Sequence, residues 1–149
     1  MPDLERLNAH YQAMPPVAAM RIRATGFDGD CLRLHAPLDA NLNDKGCAFG
    51  GSLAGLMTLG GWGLLTLKLE AAGLDAEVYV ADSQLRYLKP LYADLMAEAR
   101  LEPGTDWDNV LRTFRERGRA RAVVQAVVRG PDGEPVADLG GRFALLRAP

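Results

Sequence analysis

The residues best suited to chemistry run from Asn43 to Gly51: Asn43-Asp44-Lys45-Gly46-Cys47-Ala48-Phe49-Gly50-Gly51. A primary amide sits in a polar loop, and two glycines follow where a long uncharged stretch begins. If that stretch is a helix, its first backbone N–H groups lack intrahelical partners and its dipole favours negative charge beside them. Such donors stabilise an oxyanion, the species that develops on a carbonyl oxygen in acyl chemistry. Asn43 offers a side-chain donor to the same place. The competing reading is a loop asparagine that satisfies nearby backbone in a turn. Gly50 and Gly51 serve either as N–H donors or to bring a helix close to a sheet, and the two roles are compatible. Cys47 lies inside the segment. A nucleophilic thiol needs an adjacent base, and the segment has no histidine, so Cys47 reads as a small packing residue.

The elements that position this segment follow from periodicity. Leu4, Leu7 and Tyr11 mark a short amphipathic helix over 4–14, ended by Pro15-Pro16. Residues 17–27 alternate, with Met20, Ile22 and Ala24 on one face and Arg21, Arg23 and Thr25 on the other, which predicts a half-buried strand. A turn over 26–30 leads to a second strand, 31–36, with Leu32 and Leu34 inward. The helix that opens at Gly50 runs to about Gly73. Strands follow at 77–88 and 95–101, then a short inserted helix over 107–117 with Val110, Leu111 and Phe114 at helical spacing. The last hairpin carries an apolar face of Ala120, Ala122, Val124, Ala126 and Val128, turns at Pro131-Asp132-Gly133, and returns over 136–146. Hairpin-like connections imply an antiparallel sheet. The uncharged segment 48–67 is long enough to cross a membrane. Its many glycines and the sheet that follows place it instead in a core, wrapped on most sides by strands.

On the strand at 77–88, alternation separates Asp82, Gln84 and Arg86 from Ser83, Leu85 and Tyr87, and one of these faces lines the pocket. Asp82 is a candidate base, against a structural carboxylate paired with an arginine such as Arg86. Thr58 can hydrogen-bond substrate or water, or bond back to its own helix. Arg112, Arg115, Arg117, Arg119 and Arg121 cluster around the inserted helix and the next strand. They suit docking of an acidic partner, or form a solvated face with Glu116 interleaved.

Composition sets the bounds. A chain of 149 residues with 48% hydrophobic and 24% charged content is a single domain, 1–149, with a real core. A net charge of −2 gives no electrostatic case for nucleic acid. Two cysteines without metal spacing fit free thiols in a reducing compartment. The start, Met1-Pro2-Asp3-Leu4-Glu5-Arg6, lacks the basic and apolar regions of a signal peptide, so the expected location is cytoplasmic.

The motif carries a resemblance. Asn43-x-x-Gly46-x-x-Phe49-Gly50-Gly51 resembles the Asn-x-x-Gly-x-x-His-Gly-Gly signature of hotdog-fold acyl-thioester enzymes, with Phe49 where histidine is usual. Together with Ala36-Pro37-Leu38, Asn41, Ser52, Gly61-Trp62-Gly63 and Arg86-Tyr87-Leu88-Lys89-Pro90, it is similar to the family typified by the YiiD C-terminal domain, over most of the chain. The resemblance implies an α+β hotdog fold, an antiparallel sheet around a long central helix. It also implies a homo-oligomer, dimer or tetramer, whose subunits cover a sheet edge. Members resembling this family include malonyl-acyl-carrier-protein decarboxylases, in which the functional burden falls on the asparagine matching Asn43. Hotdog thioesterases usually carry Asp or Glu two turns past the Gly-Gly pair, where this chain has Thr58. The only histidines, His10 and His35, lie outside the motif.

The expected function is therefore acyl-thioester chemistry on a coenzyme A or acyl-carrier-protein substrate, foremost decarboxylation of a malonyl thioester to the acetyl thioester. Thioester hydrolysis and non-catalytic acyl binding are the alternatives. A dehydratase is disfavoured, because that chemistry relies on a histidine partnered with a carboxylate. The expected catalytic groups are Asn43, Gly50 and Gly51. Phe49, Thr58, Asp82, Ser83, Arg86 and Tyr87 are expected to contact substrate. No metal or organic cofactor is implied, and neither nucleic acid nor membrane is an expected partner.

Overall fold

The computed structural model describes residues 3–149. Met1-Pro2, part of the segment weighed as a signal peptide, lies outside them. Helix α1 (Leu4–Ala13) starts where the Asp3 carboxylate accepts the Arg6 N–H at 3.0 Å, and buries Leu7 and Tyr11. Helix α2 (Pro15–Ala19) corrects the sequence expectation. Pro15-Pro16 not only ends α1 but also opens α2, since proline is tolerated in a first helical turn. The alternation read from residue 17 therefore yields a strand only at β1 (Arg23–Phe27). Ile22 and Ala24 are still buried as the pattern required.

Strand β2 (Cys31–Ala36) and a 3-10 turn, Leu38–Ala40, lead to α3 (Gly50–Ala71). The chain then forms β3 (Ala76–Tyr87), β4 (Leu95–Leu101), α4 (Trp107–Arg117), β5 (Arg119–Arg129) and β6 (Pro135–Arg147). Gly118, at φ +71°, ends α4 in the left-handed conformation that glycine adopts without strain. The strands form one six-stranded sheet in the order β1-β2-β4-β5-β6-β3, with every neighbouring pair antiparallel.

The sheet curls around α3, whose apolar residues fill the core together with Leu32, Leu34, Val124 and Phe143. Close approach is enforced at Gly60, Gly61 and Gly63. A Cβ at Gly60 would lie 3.2 Å from Ala99 Cβ, one at Gly61 2.7 Å from the Phe143 ring, and one at Gly63 2.9 Å from Leu32 and against the Tyr11 hydroxyl. A sheet wrapped on a glycine-bearing central helix is the hotdog architecture. Helix α3 has the length and composition of a membrane span, with a mean hydropathy of 1.2, but the sheet covers most of it.

The two edges of the sheet differ. Strand β1 has five residues, and the Asn8 side chain of α1 occupies its outer edge. Its amide accepts from Ala24 N at 2.7 Å and donates to Ala24 O at 3.1 Å, as a neighbouring strand would. Strand β3 has twelve residues and an open edge, with Tyr79, Val80 and Tyr87 exposed along it.

A candidate oxyanion site at the start of the central helix

The motif folds as a small hairpin that delivers the chain to α3. Leu42 and Ala48 form a bridge, the Asn43 N–H donates to Cys47 O at 2.8 Å, and the Gly46 N–H donates to Asn43 O at 3.4 Å. Gly46 adopts φ +79° with open space around its Cα, so glycine is required there by backbone conformation alone. The Asn-x-x-Gly spacing is thus, first, a turn. Asn43 Oδ1 accepts the N–H groups of Lys45 at 2.8 Å and Cys47 at 3.1 Å. The turn reading of Asn43 therefore holds for its carbonyl oxygen. Its amide nitrogen is a separate matter. Nδ2 donates one hydrogen to Cys47 Sγ at 3.2 Å, and the second has no acceptor among the described residues.

Two backbone bonds pin the end of the motif. Ala48 N–H donates to Leu91 O and Phe49 N–H to Asn41 O, each at 2.8 Å. Asn41 is itself buried and donates to Met20 O and Pro37 O at 3.0 and 2.7 Å. Phe49 then takes the cap position of α3. A Ser, Thr, Asn or Asp there would accept the early helix N–H groups, but Phe49 has no side-chain acceptor. Its carbonyl accepts from Ser52 and Leu53, while the N–H groups of Gly50 and Gly51 have no partner among the described residues. Two free backbone donors at a helix start favour negative charge nearby, and the half-buried Asn43 amide stands in the turn that leads into them.

The packing reading of these two glycines finds little support. A Cβ at Gly50 would sit 3.5 Å from the Tyr87 ring, an ordinary contact. One at Gly51 would meet only the Phe49 ring, whose residue is 53% exposed and free to turn. Tyr87 closes the other flank, its hydroxyl donating to Gly50 O at 3.2 Å. Leu42, Leu88 and Tyr92 leave further exposed apolar surface on the adjoining segments. Exposed apolar side chains on segments that adjoin free donors suit a ligand or partner.

Strand β3 sorts the remaining candidates by face. An extra residue at Ala81 shifts the register, so that Val80 pairs with buried Phe143 and Asp82 with exposed Arg142. Ser83, Leu85 and Tyr87 then face the α3 side, opposite Gly141, Leu139 and Ala137. Asp82, Gln84 and Arg86 point to the outside of the sheet. This corrects the expectation for Asp82 and Arg86, which the sheet separates from the start of α3. The Arg142 guanidinium binds the Asp82 carboxylate through both oxygens and holds its pKa below the usual carboxylate range, with Arg121 adding to the effect. A carboxylate so held is a poor base. The arginine expected to pair with it, Arg86, instead binds Asp138, at 3.0 Å through Nε.

Thr58 lies on the part of α3 that the sheet leaves half-covered, a stripe of Ala54, Thr58, Trp62 and Thr66 at four-residue spacing. Its hydroxyl makes no hydrogen bond back to the helix, which leaves it free for a ligand. The only titratable groups on α3 are Lys68 and Glu70 at its far end. His35 faces the outside of β2, 3.0 Å from Asp94, and His10 packs edge-on against Trp62. The exposed arginines of α4 and early β5 lie near the C-terminal end of α3, where Lys68 sits 5.2 Å from the Trp107 ring centre. Arg121 lies close enough to Asp82 to lower its pKa, while the arginines of α4 lie toward the end of α3 away from Gly50.

The fold is shared with solved structures. The chain is similar to a "putative thioesterase" from Shewanella oneidensis, at 28% identity and a TM-score of 0.86 over 96% of each chain. It is similar to a "probable thioesterase" of unknown function from Pseudomonas aeruginosa, at 25% identity and a TM-score of 0.84 over 99% of each. A protein of unknown function from Chlorobaculum tepidum matches at 27% identity and a TM-score of 0.90, over 97% of this chain and 94% of that one. A family model described as "Putative thioesterase (yiiD_Cterm)" matches residues 4–147, and the chain, with its hotdog fold, belongs to that family.

Proposed function

We propose that the protein acts on acyl thioesters at the start of α3, and that its reaction is decarboxylation of a malonyl thioester to the acetyl thioester. One observation carries the choice of reaction. The start of α3 offers free donors suited to a carbonyl oxygen, while Thr58 stands where a thioesterase base would be and Asp82 is turned away and ion-paired with Arg142. Hydrolysis needs water activated by a base or a protein nucleophile. Decarboxylation needs neither. The carboxylate of the malonyl group leaves as CO2, and the C–CO2 bonding pair passes into the thioester as an enolate. Asn43 Nδ2 and the N–H groups of Gly50 and Gly51 stabilise the enolate oxygen. A proton from water then completes the methyl group. The C–CO2 bond has to stand perpendicular to the thioester plane, and Phe49 and Tyr87 beside the start of α3, with Ser83 on the same face of β3, are the groups that would orient it. An uncharged Thr58 spares the substrate carboxylate a like charge.

The open edge of β3 supports a homodimer formed by pairing that strand with its copy. Antiparallel pairing sets the start of one β3 beside the end of the other. The arginines at 112–121 of one subunit then approach the α3 start of its partner, where they would steer an acidic carrier protein. Sedimentation should give twice the chain mass of 16.1 kDa. A stable monomer would remove this interface. The location we propose is the cytoplasm, where such carriers and thiols occur.

Hydrolysis is the second reading, favoured by the family's description and by those of its solved relatives. Malonyl and acetyl thioesters, each on coenzyme A and on carrier protein, separate the two. Decarboxylation converts the malonyl thioester to the acetyl thioester, releases no thiol and leaves the acetyl substrate untouched. Release of free thiol from either substrate establishes hydrolysis. No change with any substrate points to a binding subunit.

A further inference from the structure

We propose that Cys47 is a positioning residue for Asn43, its sulfur holding one amide hydrogen so that the other points at the thioester oxygen. This rests on the role of Asn43 proposed above. Three observations carry it. First, the orientation of the amide is fixed by its oxygen, which accepts from Lys45 N at 2.8 Å and Cys47 N at 3.1 Å. A flipped amide would set its NH2 against both donors. Second, the two bonds to Oδ1 leave play in the tilt of the amide plane, and the bond from Nδ2 to Cys47 Sγ at 3.2 Å narrows it. Third, Cys47 is 5% exposed, so its sulfur is held by the surrounding core and not by solvent.

Residue 47 therefore meets Asn43 in two chemically different ways. Its backbone N–H and C=O bind Asn43 whatever its side chain, which keeps the turn formed. The side-chain bond depends on having an acceptor at this place. Alanine or valine at 47 keeps the turn and the bonds to Oδ1 but leaves the tilt of the amide held by its oxygen alone, which lowers the fraction of productive geometry. Sulfur is a weak acceptor, so it orients Nδ2 without competing strongly with a carbonyl that is gaining negative charge. Cys47 also fills space, but filling space alone predicts a different response to substitution.

The test uses the full chain with a malonyl thioester, and compares wild type with Cys47→Ala, Cys47→Ser, Asn43→Ala and the Cys47→Ala/Asn43→Ala double variant. We expect Cys47→Ala to lower kcat about tenfold with KM within about twofold. Cys47→Ser, which keeps an acceptor, should recover most of that loss. The double variant should be no slower than Asn43→Ala alone, because the thiol acts only through the amide. Should Cys47→Ala fold poorly, Cys47→Val fills the space without an acceptor and is read in the same way. Full kcat in Cys47→Ala beside an impaired Asn43→Ala overturns the positioning role and leaves the site reading standing. Additive losses in the double variant also overturn it. Full kcat in Asn43→Ala removes the site reading, and the positioning role with it.

Discussion

Glycine serves two purposes along one helix. At the middle of α3, Gly60, Gly61 and Gly63 are required by what faces them, since a Cβ at any of them would press into Ala99, Phe143, Leu32 or Tyr11. At its start, nothing in the sheet forbids a side chain at Gly50 or Gly51, and what distinguishes the pair is two unclaimed N–H groups. The first group lets the sheet close on the helix. The second keeps the helix start approachable from outside. Fold and site therefore depend on the same residue type within one element, and only the surroundings tell the two uses apart.

The comparison can be broken by substitution. Gly63→Val should have the largest effect, a loss of about 3 kcal/mol, the upper part of the overpacking range. The reason is that Tyr11 is fully buried and its hydroxyl donates to Leu59 O at 2.8 Å, so the ring cannot retreat without leaving a polar group unpaired. Thermal melting checks this, and a stable Gly63→Val protein would refute the close-packing role. Thr58→Asp comes next. Two unit charges about 6 Å apart at an effective dielectric constant of about 20 repel by about 3 kcal/mol. Malonyl turnover should fall unless burial keeps the new carboxyl protonated. The fold should survive on this half-covered face, and slow hydrolysis of an uncharged acyl thioester could emerge. Faster malonyl decarboxylation in Thr58→Asp would contradict the charge account.

Gly51→Ala is the sharper partner to Gly63→Val. The added methyl displaces only the Phe49 ring, and alanine is the better helix former by about 1 kcal/mol. Melting should stay at or above the wild-type temperature, while turnover drops modestly as the ring moves against the donors. Asp82→Asn should have the smallest effect on catalysis, within about twofold, the usual outcome for a surface substitution away from the chemistry. Its pairing with Arg142 lowers the folded pKa, so the associated stability is present above the ordinary carboxylate range and is lost as pH falls through the depressed value. Asp82 is exposed, so this contribution is small. Assays of turnover and of acid unfolding for Asp82→Asn measure the two statements separately.

Much of this was legible in the chain. Strand β4 and helix α4 fall where their periodicity placed them, because each is a complete pattern bounded by turn residues. The strand expected from residue 17 was shortened by proline acting as a helix opener, a role local alternation cannot reveal. The two faces of β3 were readable from alternation, but which face meets α3 was not. That depends on the bulge at Ala81 and on pairing with residues about sixty positions later, and the same long-range register gave Asp82 the partner Arg142 instead of Arg86. The turn at Asn43 and the helix start at Gly50 were legible, because a turn signal runs into an uncharged stretch. Cys47 was read as packing alone. Its four-residue spacing from Asn43 across a tight turn was the signal that could have shown the hydrogen bond.

In the proposed reaction, Asn43 and the start of α3 stabilise an enolate oxygen. Asn43→Ala in the folded protein, assayed for turnover of a malonyl thioester, tests this most directly. Removing one oxyanion donor should lower kcat about 10²–10³-fold. Circular dichroism should stay that of wild type, since residual turn bonds through the backbone of residues 43–47 remain. A folded Asn43→Ala protein that decarboxylates at the wild-type rate would contradict the account.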